Sequence, residues 1–223
     1  LGLPKTTINE ICSPNSTILL IGSDLKEEYG TLYIRLRDAI TNMGAKLIEL
    51  TPIETGLSNI ASISLRPRPG EIAKVVNSIL TGKAPVEIGG VSKESIEACH
   101  ELIQDTQINV VFAHHSVAES TESITQALTL LREVQETKFL PLVKRANTIG
   151  ALHMGMVPGQ LPGQISLHDP KKSGLTGWLN LPEDEGMTTD QILESAAKGE
   201  IDVLFLLGTD PVSYTHLTLP TIG

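Results

Sequence analysis

The sequence has little of what several classes of protein require. Only two of its 223 residues are cysteines, Cys12 and Cys99, and they form no CxxC pair, which argues against a disulfide framework and against a cysteine-rich metal site. The net charge is −9, and the lysines and arginines form no cluster, whereas nucleic-acid binding needs a basic face. Cys99 falls on the apolar face of a predicted helix, which favours a buried free thiol. We therefore expect a reducing compartment and no nucleic-acid partner.

Long apolar segments are also missing. The two strongest apolar runs, at 17–22 and 202–207, have the length of strands and fall well short of the roughly 20 residues that span a bilayer. No signal peptide is visible, and the first residue is Leu1 rather than Met. We expect a fragment, truncated at its N-terminus, that does not insert into a membrane.

The catalytic motifs that can be found in a single sequence are absent as well. The chain contains no GxSxG, HExxH or Walker sequence, so no self-contained active site is visible. His114 and His115 follow an apolar run and are candidates for metal binding or proton transfer. No acidic residue or cysteine lies at metal-ligand spacing from them, which favours an ordinary loop pair.

Two apolar patterns alternate along the chain. Short uninterrupted apolar runs indicate strands buried on both faces, and apolar residues at helical spacing indicate amphipathic helices between them. The predicted strands are Thr17–Ile21, Lys46–Leu50, Ile108–Ala113 and 202–207, and the predicted helices are 32–43, 72–80, 92–104, 124–134 and 188–199. Sustained alternation predicts an α/β fold with a parallel sheet.

The same patterns suggest a division of the chain. We predict a first βαβ nucleotide-binding-like unit at 1–81, a second α/β unit at 82–156, a Gly- and Pro-rich loop or arm at 157–187, and the start of a further α/β segment at 188–211. The remaining residues, 212–223, contain VSYTHLTLPT, which resembles a translated sequencing adapter. The alternative is a genuine Thr-rich turn and strand.

One loop is placed where open α/β sheets bind ligands, at the carboxyl end of a strand. Gly22 lets the backbone approach a phosphate at a helix N-terminus. However, the loop Gly22-Ser23-Asp24 is acidic and has no GxGxxG pattern, which disfavours a pyrophosphate. A similar loop, Gly208-Thr209-Asp210, follows the run at 202–207. The similarity of the two loop sequences indicates either two related units or a common turn sequence.

Three segments resemble the molybdopterin-oxidoreductase superfamily: GSDLKEEYGTLYIRLRDA at 22–39, LIELTPIETGLSNIASISLRPRPGEIAKVV at 47–76, and RANTIGALHMGMVPGQLPG at 145–163 followed by DVLFLLGTDP at 202–211. Within it, residues 16–211 are most similar to the large iron–sulfur subunits (the G subunits) of NADH:quinone oxidoreductase, respiratory complex I. The resemblance implies the Rossmann-like parallel-sheet units of the formate dehydrogenase and DMSO reductase domains 1–3.

The resemblance also implies a vestigial dinucleotide site. In catalytic family members an Asp-Pro-Arg element helps to hold the guanosine of molybdopterin guanine dinucleotide, and here the sequence reads Thr51-Pro52-Ile53. Both charged contacts are therefore lost. The vestigial positions are Gly22, Ser23, Asp24, Thr51, Arg68, Gly70, Gly208, Thr209 and Asp210.

The family further implies a role, as a structural part of a multi-subunit oxidoreductase that transfers electrons from NADH to quinone. The chain would bind no cofactor and would not be catalytic alone, because the iron–sulfur clusters lie in N-terminal domains outside it. Its two cysteines supply no cluster ligand set. It would contact other peripheral-arm subunits of complex I, on the cytoplasmic side and peripheral to the inner (plasma) membrane.

Two other interpretations remain open. One is a catalytic enzyme with bound molybdopterin guanine dinucleotide, such as a formate dehydrogenase or an assimilatory nitrate reductase. The other is a nucleotide-binding module without redox chemistry, such as the central domain of a thiamine-dependent enzyme.

Overall fold

The computed structural model describes residues 3–104, 106–113, 120–134, 136–143, 145, 147–169 and 181–207. The chain forms two compact units, Leu1–Lys144 and Arg145–Gly223. This division differs from the predicted boundaries at 81–82 and 156–157. The reason is that one sheet takes strands from both sides of the first boundary, so residues on either side share a core.

The first unit is built on five strands that pair in parallel, in the order β3-β2-β1-β6-β7. Its elements are α1 Ile8–Ile11, β1 Thr17–Ile21, α2 Leu25–Glu28, α3 Gly30–Asn42, β2 Lys46–Leu50, β3 Ile63–Leu65, α4 Ile72–Thr81, β4 Glu87–Ile88, β5 Val91–Ser92, α5 Lys93–Ile103, β6 Ile108–Ala113, α6 Thr121–Arg132 and β7 Lys138–Leu142. The predicted α/β class and three of the four predicted strands are confirmed.

The sheet is covered on both faces because its central strands are apolar at most positions. In β1, Leu19 and Ile21 pack with α4, α5 and α6 on one face. Ile18 and Leu20 pack with α1, α2 and α3 on the other. Alternate residues of a strand point to opposite faces, so an uninterrupted apolar run serves two cores.

The edge strands lack this pattern and were not predicted. β3 is three residues long and only partly buried. β7 contains Pro141, which has no N–H and is tolerated at an edge. On the outer side of β7, the backbone of Phe139 pairs with the N-terminal segment. Its N–H donates to the carbonyl of Pro4 (2.8 Å), and its carbonyl accepts the N–H of Thr6 (3.1 Å). A short N-terminal segment thus covers part of this edge.

A small hairpin, β4–β5, lies between α4 and α5. Gly89 and Gly90 form its turn with φ of 58° and 87°. Two successive positive φ angles are typical of a two-residue hairpin turn and favour glycine. The carbonyl of Gly89 accepts the N–H of Arg68 at 2.7 Å, so the hairpin is joined to the segment that follows β3.

The second unit contains α7 Thr148–His153, a two-stranded hairpin of β8 Gln160–Leu161 and β9 Ile165–Ser166, and α8 Thr189–Ala197. The hairpin lies in the segment 157–187, for which we predict a Gly- and Pro-rich loop or arm. A capping box formed by Thr188 and Gln191 is present at the start of α8.

The strand predicted at 202–207 is wrong. Residues 202–207 form no strand, and Phe205 and Leu207 are 85% and 91% exposed. A β-strand is stabilised by hydrogen bonds to a neighbouring strand. An apolar run indicates a tendency to form a strand, but it does not provide the neighbouring strand with which to pair. Within the described ranges no helix is long and apolar enough to cross a bilayer.

Candidate functional site

The carboxyl ends of the parallel strands form one edge of the first unit, and the candidate site lies there. The strand order reverses at β1: the chain proceeds to β2 and β3 on one side and to β6 and β7 on the other. Open α/β sheets bind ligands at such a point. The loop after β1 is therefore placed as the sequence predicted, whereas His114 and His115, after β6, lie outside the described residues.

Gly22 and Ser23 occupy the end of β1. Gly22 adopts φ 72°, which glycine accepts without strain, and its N–H donates to the carbonyl of Leu50 at 3.0 Å. Ser23 is 1% exposed, and its Oγ has no hydrogen-bond partner among the described residues. A buried hydroxyl without a partner is costly, so Ser23 is the residue of this loop best suited to receive a ligand atom.

Asp24 has a structural role instead. Its Oδ1 accepts the N–H of Lys26 at 3.0 Å, which caps the first turn of α2. The same oxygen accepts the N–H of Gly56 at 3.4 Å, from the loop after β2. The carboxylate that makes this loop acidic therefore binds backbone donors of the chain itself.

Thr51, which follows β2 directly, is 2% exposed. Its N–H donates to the carbonyl of Leu65 at 3.3 Å, which continues the pairing of β2 with β3. This position contributes an uncharged, buried side chain to the edge of the sheet.

Glu49, within β2, is a buried carboxylate that the sequence reasoning missed. Its exposed fraction is zero, and it lies directly opposite Ser64 of β3. One oxygen, Oε2, accepts hydrogen bonds from Ser64 (2.6 Å), Ser58 (2.8 Å) and Nη1 of Arg66 (3.2 Å). The other, Oε1, accepts the hydroxyl of Thr55. The available signal was a charge inside the apolar run KLIEL, since a buried charge requires a partner.

Arg68 and Gly70 lie further along the same segment. Arg68 forms an exposed ion pair with Glu87 of the β4–β5 hairpin. Gly70 adopts φ 85° just before α4. The guanidinium of Arg68 is thus paired within the chain. Gly208, Thr209 and Asp210 lie outside the described residues, as does the adapter-like segment at 212–221.

The described part of the chain contains no group of three or more His, Cys, Asp or Glu side chains arranged to hold a metal ion. Both cysteines are free, and burial raises the pKa of the Cys99 thiol to about 12. The buried free thiol predicted at Cys99 is confirmed.

Comparison with curated proteins identifies relatives over most of the chain. It is 28% identical over 201 residues to the G subunit of NADH-quinone oxidoreductase from Streptomyces coelicolor, covering 86% of this chain and 22% of that protein. It is 27% identical over 224 residues to the G 2 subunit of NADH-quinone oxidoreductase from Rhizobium meliloti, covering 88% and 26%. The suspected resemblance to these subunits is confirmed.

A third relative is the NADPH-Fe(3+) oxidoreductase subunit alpha of Geobacter sulfurreducens, 24% identical over 253 residues and covering 94% of this chain and 29% of that protein. All three relatives are oxidoreductase subunits. The chain spans about a quarter of the length of the curated relatives it matches. No family model matches it.

Among solved structures, the chain resembles one from the formyltransferase/hydrolase complex of Methylorubrum extorquens in complex with methylofuran. The TM-score is 0.58 at 15% sequence identity, and the match covers 97% of this chain and 59% of that one. At this identity the likeness concerns the fold alone.

Proposed function

We propose that this chain is part of the molybdopterin-oxidoreductase-like domain of the large iron–sulfur subunit of an NADH:quinone oxidoreductase. The names of the two NADH-quinone oxidoreductase relatives and the doubly wound order of the sheet support this assignment. In this proposal the domain is scaffold: it carries surface for other peripheral-arm subunits on the cytoplasmic side of the membrane. The electrons pass through iron–sulfur clusters outside this chain.

We further propose that the domain binds no molybdopterin guanine dinucleotide. One observation carries this proposal: both charged side chains among the described vestigial positions are bonded within the chain. Asp24 binds backbone N–H groups, and Arg68 binds Glu87. With Thr51 uncharged, these positions offer a dinucleotide no free charge for bidentate recognition. The residues present therefore do not fit that cofactor.

The test is chemical analysis of the purified chain, produced in a host that makes the cofactor. We expect neither molybdenum by mass spectrometry nor fluorescent oxidised pterin after denaturation, and no oxidation of NADH. A molybdoenzyme purified from the same host shows that the cofactor was available. Stoichiometric molybdenum and pterin in the chain would contradict the scaffold role.

The second candidate is a catalytic enzyme of the same superfamily, and Ser23 favours it. Its buried Oγ, without a partner among the described residues, lies where the strand order reverses. In this candidate Gly22, Ser23, Arg68 and Gly70 would line a cofactor channel. Isothermal titration calorimetry with guanine nucleotides distinguishes the two candidates. Binding by the wild-type chain that Ser23→Ala abolishes would support the catalytic enzyme. No binding by the wild-type chain or by Ser23→Ala would support the scaffold.

A further inference from the structure

Three of the four side chains that donate to Glu49 also make contacts that do not involve Glu49. The hydroxyl of Ser58 accepts the N–H of Thr55 at 2.8 Å and Nη2 of Arg66 at 2.7 Å. The hydroxyl of Thr55 accepts the N–H of Leu57 at 3.1 Å. Nη1 of Arg66 also donates to the carbonyl of Leu65 at 3.2 Å. Thr55, Ser58 and Arg66 are therefore positioned by other groups of the chain, and Ser64 is positioned by the pairing of β3 with β2.

We call the donors Thr55, Ser58, Ser64 and Arg66 the Glu49 cage. The cage brings three hydroxyl donors and one guanidinium to a single carboxylate. The guanidinium is the only cation within salt-bridge distance of Glu49 among the described residues. Donors that are fixed in advance around an oxyanion lose little entropy when they bind it. The cage thus has the properties of an anion-binding site.

We propose that the Glu49 cage is a binding site for a small carboxylate, filled in this chain by the carboxylate of Glu49 itself. Two of its donors come from the loop 51–62 and two come from β3 and the residue after it. By filling the cage, Glu49 fixes that loop across the end of β2, next to Thr51. The inference goes beyond the scaffold role and does not depend on whether a cofactor binds.

The site can be emptied and refilled from solution. Glu49→Ala removes Cγ, Cδ and both Oε atoms, which together have the heavy-atom skeleton of acetate. Thermal unfolding of this variant is measured in sodium acetate and in sodium chloride of equal ionic strength. Because binding to the folded state alone raises stability by mass action, we expect acetate to raise Tm of Glu49→Ala by about 3 °C at ten times its Kd.

Three controls isolate the cage. Wild type and Glu54→Ala, which removes an exposed carboxylate from the same loop, should respond equally to acetate and chloride. Glu49→Gln keeps the cage filled and should also show no acetate effect. The double variant Glu49→Ala, Arg66→Gln lacks the cation and should lose the acetate effect of the single variant.

The outcomes distinguish a carboxylate-binding site from a simple ion pair between Glu49 and Arg66. A folded Glu49→Ala that responds equally to both salts would overturn it, because the donors would then not persist as a site. If the variant is unfolded in chloride, recovery of native circular dichroism in acetate supports the proposal, and an unfolded state in both salts overturns it. Neither result bears on the metal and pterin analysis that tests the scaffold role.

Discussion

Oδ1 of Asp24 accepts the N–H of Gly56 at 3.4 Å and so connects the loop after β1 to the loop after β2. The two residues are 32 positions apart in sequence. Because β1 and β2 are hydrogen-bonded neighbours, their loops leave the same edge of the sheet side by side. From the sequence, the negative charge of Asp24 disfavours phosphate binding. In the fold, the same side chain connects two loops by a hydrogen bond.

This connection predicts the effect of substitutions at Asp24. Asp24→Ala removes the N-cap of α2 together with the bond to Gly56, and we expect the free energy of unfolding to fall by about 1 kcal/mol. Asp24→Asn retains an oxygen acceptor and should cost less. Urea unfolding of the three proteins measures both differences. Equal stability of Asp24→Ala and wild type would show that the capping contact contributes nothing.

Gly56 should tolerate no side chain. A Cβ added there would lie 2.7 Å from both Cβ and Cδ of Lys26, and the Cβ of a lysine cannot move without its backbone. We expect Gly56→Ala to destabilise the fold by about 1–3 kcal/mol through overpacking. The control is Gly30→Ala, where nothing lies within 4 Å of the new Cβ. At that helical position alanine should be neutral or stabilising. Equal effects of the two substitutions would contradict the packing argument.

The two cysteines should differ in reactivity. Burial raises the pKa of Cys99 to about 12, so that roughly one thiol in ten thousand is ionised at pH 8, and the thiolate is the nucleophile. Burial also raises the pKa of Cys12, but this residue is only half-buried. We expect an aromatic disulfide reagent to label Cys12 in the native protein and Cys99 only on unfolding. The variant Cys12→Ser should show no rapid labelling, and rapid labelling in that variant would refute the assignment.

Glu10 should make stability depend on pH in the acid range. A hydrogen bond from Lys138, followed by bonds from the backbone and side chain of Thr7, lowers its pKa from 4.5 to about 2. A carboxyl whose pKa is lower in the folded state stabilises the fold above its unfolded pKa. This contribution is therefore present above about pH 4.5 and is lost as pH falls towards 2. We expect Glu10→Gln to be less stable than wild type at pH 6 and equal to it near pH 2. A difference that does not change with pH would contradict this.

Much of the fold follows from the sequence. The runs TILLI, KLIEL and INVVFA are central strands with the predicted bounds, because a strand covered on both faces must be apolar at nearly every position. The edge strands were not predicted, because a partly exposed strand does not need an apolar residue at nearly every position. In β7, Pro141 also interrupts the run of strand-forming residues. The run at 202–207 satisfied the same local rule and still formed no strand.

The sequence predicts less of the candidate site than of the fold. The sequence placed Gly22 and Ser23 at a strand end, since the position of a loop after a strand is a local property. It could not assign partners to Asp24 or Arg68, because Gly56 and Glu87 are distant in sequence and close only after the loops and the hairpin have folded. The charge inside KLIEL indicates that Glu49 needs a partner, but its donors reach it only after β3 has paired with β2.

The sequence by itself determined the class of fold, the central strands and the buried thiol, because these depend on burial, and burial follows from the local spacing of apolar residues. Only the tertiary structure decided which charges meet. An ion such as Glu49 is stable inside a sheet only if donors from other segments reach it, and those donors are brought together by the order of the strands.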